Sequence, residues 1–282
     1  MKQIVTLGNV GAKIGDSFKE YPQYKIYKMG TTLPKNKSTF VLPALKTPEE
    51  YDSLTLDFKS FFRGLKGEVL FVVCPSSAES AACLKILQAL YKKGCTVTIL
   101  YVIPERVFLS EAERLNERVV FHVLQEYTRS GVFERLYFVC NELLSSYPVS
   151  DGLNIVNYYD KINEFIVSTF HMINVFHHTE PVLKDVSDVR DISRIATVGF
   201  SSLDAPEAEE QPFFLLDNVG EKSYYIAMNE NEISGSGTLN KVKTYMTKNN
   251  VGKKINYSVH TTDYEQSYMY FISFSSQIQK IA

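Results

Sequence analysis

The stretch Gly8-Asn9-Val10-Gly11-Ala12-Lys13-Ile14-Gly15 has the spacing that most directly points to chemistry. It follows a short apolar run, Ile4-Val5-Thr6-Leu7, and leads into a predicted helix from Ile14 to Glu20. A strand, a glycine-bearing turn and a helix start bring backbone N–H groups and the positive helix end together, which suits an anion such as phosphate. The spacing is not the Gly-x-Gly-x-x-Gly of dinucleotide folds, and it lacks the Gly-Lys-Ser/Thr ending of a Walker loop. The same residues also serve as a plain structural turn, because glycine takes positive φ at little cost.

Other chemistry is sparse. His177-His178 fall at a helix end, where a cation favours the dipole, and His171 lacks a carboxylate or cysteine to complete a ligand set. No metal site is expected from them. Ser201-Ser202 and Ser275-Ser276 have no Gly-x-Ser-x-Gly context, which argues against a serine hydrolase. Cys74, Cys83, Cys95 and Cys140 lie in apolar segments without metal-like spacing and read as buried, reduced thiols.

The elements that must position these residues alternate. Strand candidates are Gln3–Leu7, Tyr24–Met29, Thr39–Leu42, Glu68–Cys74, Thr96–Ile103 and Leu136–Asn141, mostly continuous apolar runs of the kind buried in parallel sheets. A helix is predicted from Ala78 to Tyr91, with Ser76-Ser77 as caps and Ala78, Ala82, Leu84, Leu87 and Tyr91 facing the core. Another runs from Ser110 to Arg129, with Ala112, Leu115, Val119, Val123 and Tyr127 as its apolar face and an acidic first turn after Ser110. A long amphipathic helix follows from Leu153 to Phe176, marked by Ile155, Tyr159, Ile162, Ile166, Phe170 and Ile173. Beyond a solvated acidic stretch, Asp204 to Pro212, come a strand (Ser223–Met228), a helix (Thr238–Lys248) and two alternating strands, Lys254–His260 and Tyr268–Ser275. These last two read as antiparallel partners in a small sheet covered by the helix. The whole predicts a doubly wound α/β domain, a central strut and a smaller α+β domain.

At 282 residues, 45% of them hydrophobic, the chain can bury two cores. A net charge of −2 and a pI near 6.2 give no basic footprint for nucleic acid. The longest apolar runs, Val69–Cys74 and Val97–Pro104, are too short to span a bilayer. Met1-Lys2-Gln3 leads straight into a strand with no visible signal peptide, so a cytoplasmic location is expected.

The opening residues, Met1-Lys2-Gln3-Ile4-Val5 and then Gly8-x-x-Gly11-x-x-Ile14-Gly15-x-x-Phe18-x-Glu20, resemble the N-terminus and first phosphate loop of eukaryotic tubulins. The segments Thr96–Pro104, the helix from Ser110 and Leu136–Glu142 continue the resemblance as the fifth strand, next helix and sixth strand of the tubulin/FtsZ family. Tyr159-x-x-x-Asn163 and Leu183-Lys184-Asp185-Val186-Ser187-Asp188-Val189-Arg190 extend it to residue 200 or so. The resemblance implies a Rossmann-like domain over residues 1–152 with strand order 3-2-1-4-5-6, a central helix over 153–178 and a reduced α+β domain over 179–282. It implies GTP or GDP, with Mg²⁺, held at the phosphates by Gly8, Asn9, Val10 and Gly11 with Ser76 and Ser77. Asn141 would lie near the ribose, and Tyr159 and Asn163 at the guanine. Asp185 and Asp188 would polarise an attacking water in the neighbouring subunit's site. The implied partners are copies of the chain in a head-to-tail filament, or another assembly protein.

Each assignment has a structural alternative: Tyr159 as core, Asn163 as a loop anchor, and the two aspartates as helix caps. One departure is specific. Where the family has a glycine-rich loop, this chain has Cys74-Pro75-Ser76-Ser77-Ala78-Glu79-Ser80. Proline removes a donor, and Glu79 would repel a polyphosphate. A third phosphate loop is not recognisable in Leu42–Glu50. Three readings follow: a self-assembling protein weak or inactive as a GTPase, a nucleotide-free structural adaptor, and a GTPase with a serine-lined loop.

Overall fold

The computed structural model describes residues 2–147, 156–185, 187–203, 210–263 and 265–280. The chain forms two compact units, Met1–Val167 and Ser168–Ala282.

In the first unit, β1 (Gln3–Leu7), α1 (Gly8–Phe18), β2 (Lys25–Gly30), β3 (Thr39–Val41), α2 (Pro48–Ser53) and β4 (Glu68–Val73) are followed by a 3₁₀ turn (Ala78–Ala82). Then come α3 (Cys83–Lys92), β5 (Thr96–Ile103), α4 (Glu111–Arg129), β6 (Arg135–Cys140) and α5 (Asn141–Ser145). The strands pair in parallel in the order β3-β2-β1-β4-β5-β6, as expected for a doubly wound sheet. β4 and β5 are buried along nearly their whole length, which is why they read as unbroken apolar runs. α6 (Tyr158–His178) begins in this unit and ends in the next. Ile162, Ile166, Phe170 and Ile173 are buried as the pattern predicts, but Tyr159 is 45% exposed, and Ile155 lies outside the described residues.

Two helices turn a different face inward from the one predicted. On α4, Leu115, Val119 and Tyr127 are exposed, whereas Asn116, Glu117, Val120, Phe121, Leu124, Gln125 and Thr128 are buried. The buried polar groups are held by hydrogen bonds, which apolar periodicity does not register. The N-terminal signal of α4 behaves as predicted: Ser110 and Glu113 form a reciprocal capping box. On α3 the buried side chains are Cys83, Ile86, Leu87 and Leu90, with Tyr91 exposed. The predicted helix starts there as a 3₁₀ turn, and no side chain caps it.

The second unit holds β7 (Leu183–Asp185), β8 (Ile195–Ser202), β9 (Gln211–Pro212), β10 (Val219–Met228), α7 (Glu230–Ile233), α8 (Thr238–Asn249), β11 (Lys254–Thr261) and β12 (Tyr268–Ser275). Their order is β8-β12-β10-β11-β7, with β9 on β8. β11 and β12 run antiparallel but are not partners: β10 lies between them, parallel to β11 and antiparallel to β12. Ile255, Tyr257 and Val259 pack with Tyr224, Ile226, Met269 and Phe271 against Val242 and Met246 of α8. On β12 the α8 face is therefore Met269 and Phe271, while Tyr270 turns to Phe176. The end of the acidic stretch is engaged rather than solvated, since Glu210 bonds Lys222 and the Tyr224 hydroxyl. Residues 204–209 lie outside the described set.

Candidate functional site

Parallel strands deliver their following loops to one edge of the sheet, and in the first unit the residues after β1, β2, β4, β5 and β6 gather at this carboxyl edge. α1 starts at Gly8 itself rather than at Ile14, so Gly8, Asn9, Val10 and Gly11 make its first turn. No acidic residue or side-chain cap from the helix's own sequence serves that turn. Gly8 has φ +78°, a conformation natural to glycine. Gly11 and Gly15 have a packing reason: a Cβ would stand 3.1 Å from the Val72 carbonyl in the first case and 3.0 Å from Thr6 Cγ2 in the second. They let α1 lie directly on the sheet.

A carboxylate of the chain's own lies beside Gly8. The Glu79 side chain is 6% exposed, and its Oε2 accepts the Thr31 backbone N–H at 2.8 Å. Its Oε1 lies 3.3 Å from where a Cβ of Gly8 would stand. A buried carboxylate thus stands beside the first residue of α1 and accepts the Thr31 N–H. Beside it, Asn9 Oδ1 accepts from Thr32 Oγ1 at 2.7 Å. Thr31 and Thr32 were missed by sequence reasoning. The signal that marks them is a Thr-Thr pair straight after a buried strand that ends in Gly30.

The segment after β4 is drawn away from this point. The Ser77 carbonyl accepts from Ser80 N (3.1 Å), Ser80 Oγ (2.6 Å) and Asn116 Nδ2 (3.3 Å). Asn116 Nδ2 also donates to Ser80 Oγ at 2.8 Å. Ser76 N–H turns back to the Cys74 carbonyl at 2.9 Å. The neighbouring Glu117 is fully buried, bonded by Arg106 at 2.9 Å and by the Tyr101 hydroxyl at 3.1 Å. These contacts fasten Ser76 and Ser77 into a closed turn against α4 instead of a cradle of N–H groups. Burial pushes the Cys74 thiol up to about 12, so it is inert at neutral pH. All four cysteines are free.

At the opposite end, Asn141 opens α5 and is buried, and its Oδ1 has no hydrogen-bond partner. Asn163 is buried on α6. Tyr159, one helical turn earlier, donates its hydroxyl to Glu105 at 3.1 Å. α1 and α6 meet at Lys13 and Asp160, 3.8 Å apart.

Asp185 and Asp188 lie in the second unit, and both are exposed. Asp185 ends strand β7, opposite Tyr257 of β11, and no helix begins among the described residues 187–194. The expected loop and helix start is therefore a strand followed by coil. That coil is pinned from below. Ser187 donates N–H and Oγ to Asn256 Oδ1 (3.2 and 2.9 Å), and Lys254 Nζ bonds the Asp188 carbonyl at 2.6 Å. The fully buried Glu221 gathers Lys254 (3.1 Å), Asn256 (3.0 Å) and the Arg190 N–H (3.3 Å). Among the described residues, no group of three His, Cys, Asp or Glu could hold a metal ion, and no helix is long and apolar enough to cross a membrane.

A six-stranded parallel sheet with this order, a glycine-bearing turn from β1 straight into α1 and a long helix leading into a second β-rich unit define the tubulin/FtsZ fold. Among solved structures, the chain is similar to TubZ in the helical model of the TubZ-Bt four-stranded filament (TM-score 0.77, 14% identity, 99% of this chain and 87% of that one). It is also similar to the GDP-form protofilament of TubZ from Bacillus thuringiensis serovar israelensis (TM-score 0.72, 14% identity, 96% and 86%). A third is the GTPγS-bound protofilament of CetZ2 from Haloferax volcanii (TM-score 0.67, 14% identity, 97% and 92%). Neither a known family profile nor any curated protein sequence matches the chain.

The residues present do not fit a nucleotide's phosphates. A carboxylate sits beside Gly8, Pro75 offers no N–H, and the Ser76 N–H is taken by the Cys74 carbonyl.

Proposed function

We propose that the protein is a self-assembling structural unit of the tubulin type whose phosphate site is filled by its own Glu79, making it weak or inactive as a GTPase. The observation that carries this is the Glu79 carboxylate between Gly8 and the Thr31 N–H. A buried carboxyl group there takes the Thr31 N–H and the space beside Gly8 that a phosphate would need. Assembly is supported by the neighbours, whose descriptions name protofilaments and filaments. Exposed Val182, Leu183 and Ile192 flank Asp185 and Asp188, and apolar surface of that kind favours contact with another copy. A head-to-tail contact gives an open filament or a closed ring according to its rotation. In this reading Asp185 and Asp188 are interface residues without a catalytic role.

The test is assembly of purified protein by light scattering and sedimentation, with and without GTP and Mg²⁺, beside titration of a fluorescent GTP analogue. Nucleotide-independent assembly is expected. Strict dependence on GTP, with turnover abolished by Asp188→Ala, would establish the active GTPase instead. The buried, unpartnered Asn141 Oδ1 supports a second reading, in which the nucleoside end of the site retains weak affinity. That reading predicts binding of guanosine without gain from added phosphates.

A further inference from the structure

We propose that two adjoining clefts flanking α3 form a docking site for an acidic peptide segment that carries a large apolar side chain. The first cleft, about 740 Å³, lies between residues 54–63 and α3. Lys59, Arg63, Lys85, Lys92 and Lys93 line it, against a single acid, Asp57. Asp57 is already engaged, with Oδ1 accepting the Lys59 backbone N–H at 2.9 Å. Lys85 is held by the Leu54 carbonyl at 2.8 Å. The other four cations are exposed and, among the described residues, pair with no carboxylate. In a chain with 30 basic and 32 acidic residues, four unpaired cations in one cleft are a local excess that attracts an anionic partner.

The cleft is preformed. Its floor includes Phe58 and Phe62, 5% and 2% exposed, with ring centroids 5.4 Å apart. Phe40 packs on Phe58 and Phe61 on Phe62, so the basic segment rests on a fixed aromatic layer. A site that needs no ordering on binding keeps more of its interaction energy.

The second cleft, about 480 Å³, shares Lys85 and Gln88 with the first. Its wall is mostly apolar, with Leu84, Tyr91, Tyr127, Val132 and Phe133, and its charged lining residues are Asp52 and the shared Lys85. Tyr91 and Tyr127 are 57% and 45% exposed, although both sit in core-type positions of their helices' sequence patterns. A basic channel opening onto an apolar pocket matches a peptide with carboxylates beside a Leu or Phe anchor. A single-stranded nucleic acid fits less well, because the aromatic rings of the basic cleft are buried and cannot stack on bases.

The probe is the fluorescein-labelled peptide Glu-Glu-Asp-Leu-Phe-Glu-Glu, titrated with the full chain by fluorescence anisotropy. Saturable binding that weakens with added salt is expected. Lys59→Glu with Arg63→Glu should weaken it by about tenfold or more, and Tyr127→Ala by a similar factor. The charge reversals are placed on the 54–63 segment because Lys92 and Lys93 also serve the end of α3. The reversed protein should gain affinity for the same peptide with Lys in place of each acid, a result that a misfolded variant cannot give. The proposal is overturned by absence of saturable binding to the wild-type chain, or by equal binding when Ala replaces Leu-Phe in the peptide. It is equally overturned if a single-stranded RNA oligonucleotide binds the clefts more tightly than the peptide.

Discussion

Glu79 and Thr31 are 48 residues apart in the chain and joined by a 2.8 Å hydrogen bond from backbone to carboxylate, at the start of α1. The contact arises because β2 and β4 both pair with β1, which brings the segments after them to either side of Gly8.

Replacing Glu79 separates its two roles. Glu79→Gly orphans the Thr31 N–H, at a cost of about 1–3 kcal/mol. It also empties an anion cradle. The variant's melting temperature should therefore rise with millimolar inorganic phosphate while the wild type's stays constant. A variant indifferent to phosphate would show that the helix start has no affinity for a free anion.

Gly8→Ala places a side chain at φ +78° and within 3.3 Å of Glu79 Oε1. Left-handed backbone strain alone costs about 1–2 kcal/mol. Chemical denaturation should record at least that loss with an unchanged m-value, and Gly8→Ala combined with Glu79→Gly should lose less than the sum of the two.

Glu117→Ala removes a fully buried carboxylate, takes from Arg106 its bond to that group, and leaves the Tyr101 hydroxyl the residue-117 backbone carbonyl at 3.3 Å. A loss of about 1–3 kcal/mol is expected. The turn at Ser77 is held by Asn116 on the same helix, so the loss should come with faster amide exchange at Ser80, read by hydrogen-exchange mass spectrometry. Protection that stays at the wild-type level would show that α4 does not hold that turn.

Stability should decline at two points as pH falls. Burial around His260 lowers its pKa, and its ring nitrogens face Thr179 Oγ1 (3.1 Å) and Ser258 Oγ (2.9 Å). Below the unfolded value of about 6.5 the unfolded chain takes up a proton that the folded one excludes, so stability falls with pH. Burial opposes ionisation of Asp16, but bonds from Lys19 and Lys28 outweigh it and hold the carboxyl below its ordinary value. Its contribution is present above about pH 4 and lost as pH drops through the folded value. Thermal melts from pH 7 to pH 2 should show both limbs, the first flattened by His260→Gln and the second by Asp16→Asn. An unaltered curve in either variant removes that residue from the account.

The sequence by itself determined the parallel sheet and most of its limits. β1 and β5 run over the residues that their apolar patterns mark, and the Ser110–Glu113 capping box is where Ser-x-x-Glu places it. These signals are local: a strand's burial and a helix's first turn are written in neighbouring residues. The inward face of α4, the insertion of β10 between β11 and β12, and the approach of Glu79 to Gly8 and Thr31 were decided only by the tertiary structure. Each depends on partners far along the chain: Tyr101 and Arg106 for Glu117, β11 and β12 on the two edges of β10, and Thr31 for Glu79. A Gly-x-x-Gly turn read alone fits an anion without saying whose. The packed sheet supplies the answer by carrying a carboxylate from the end of β4 to the start of α1.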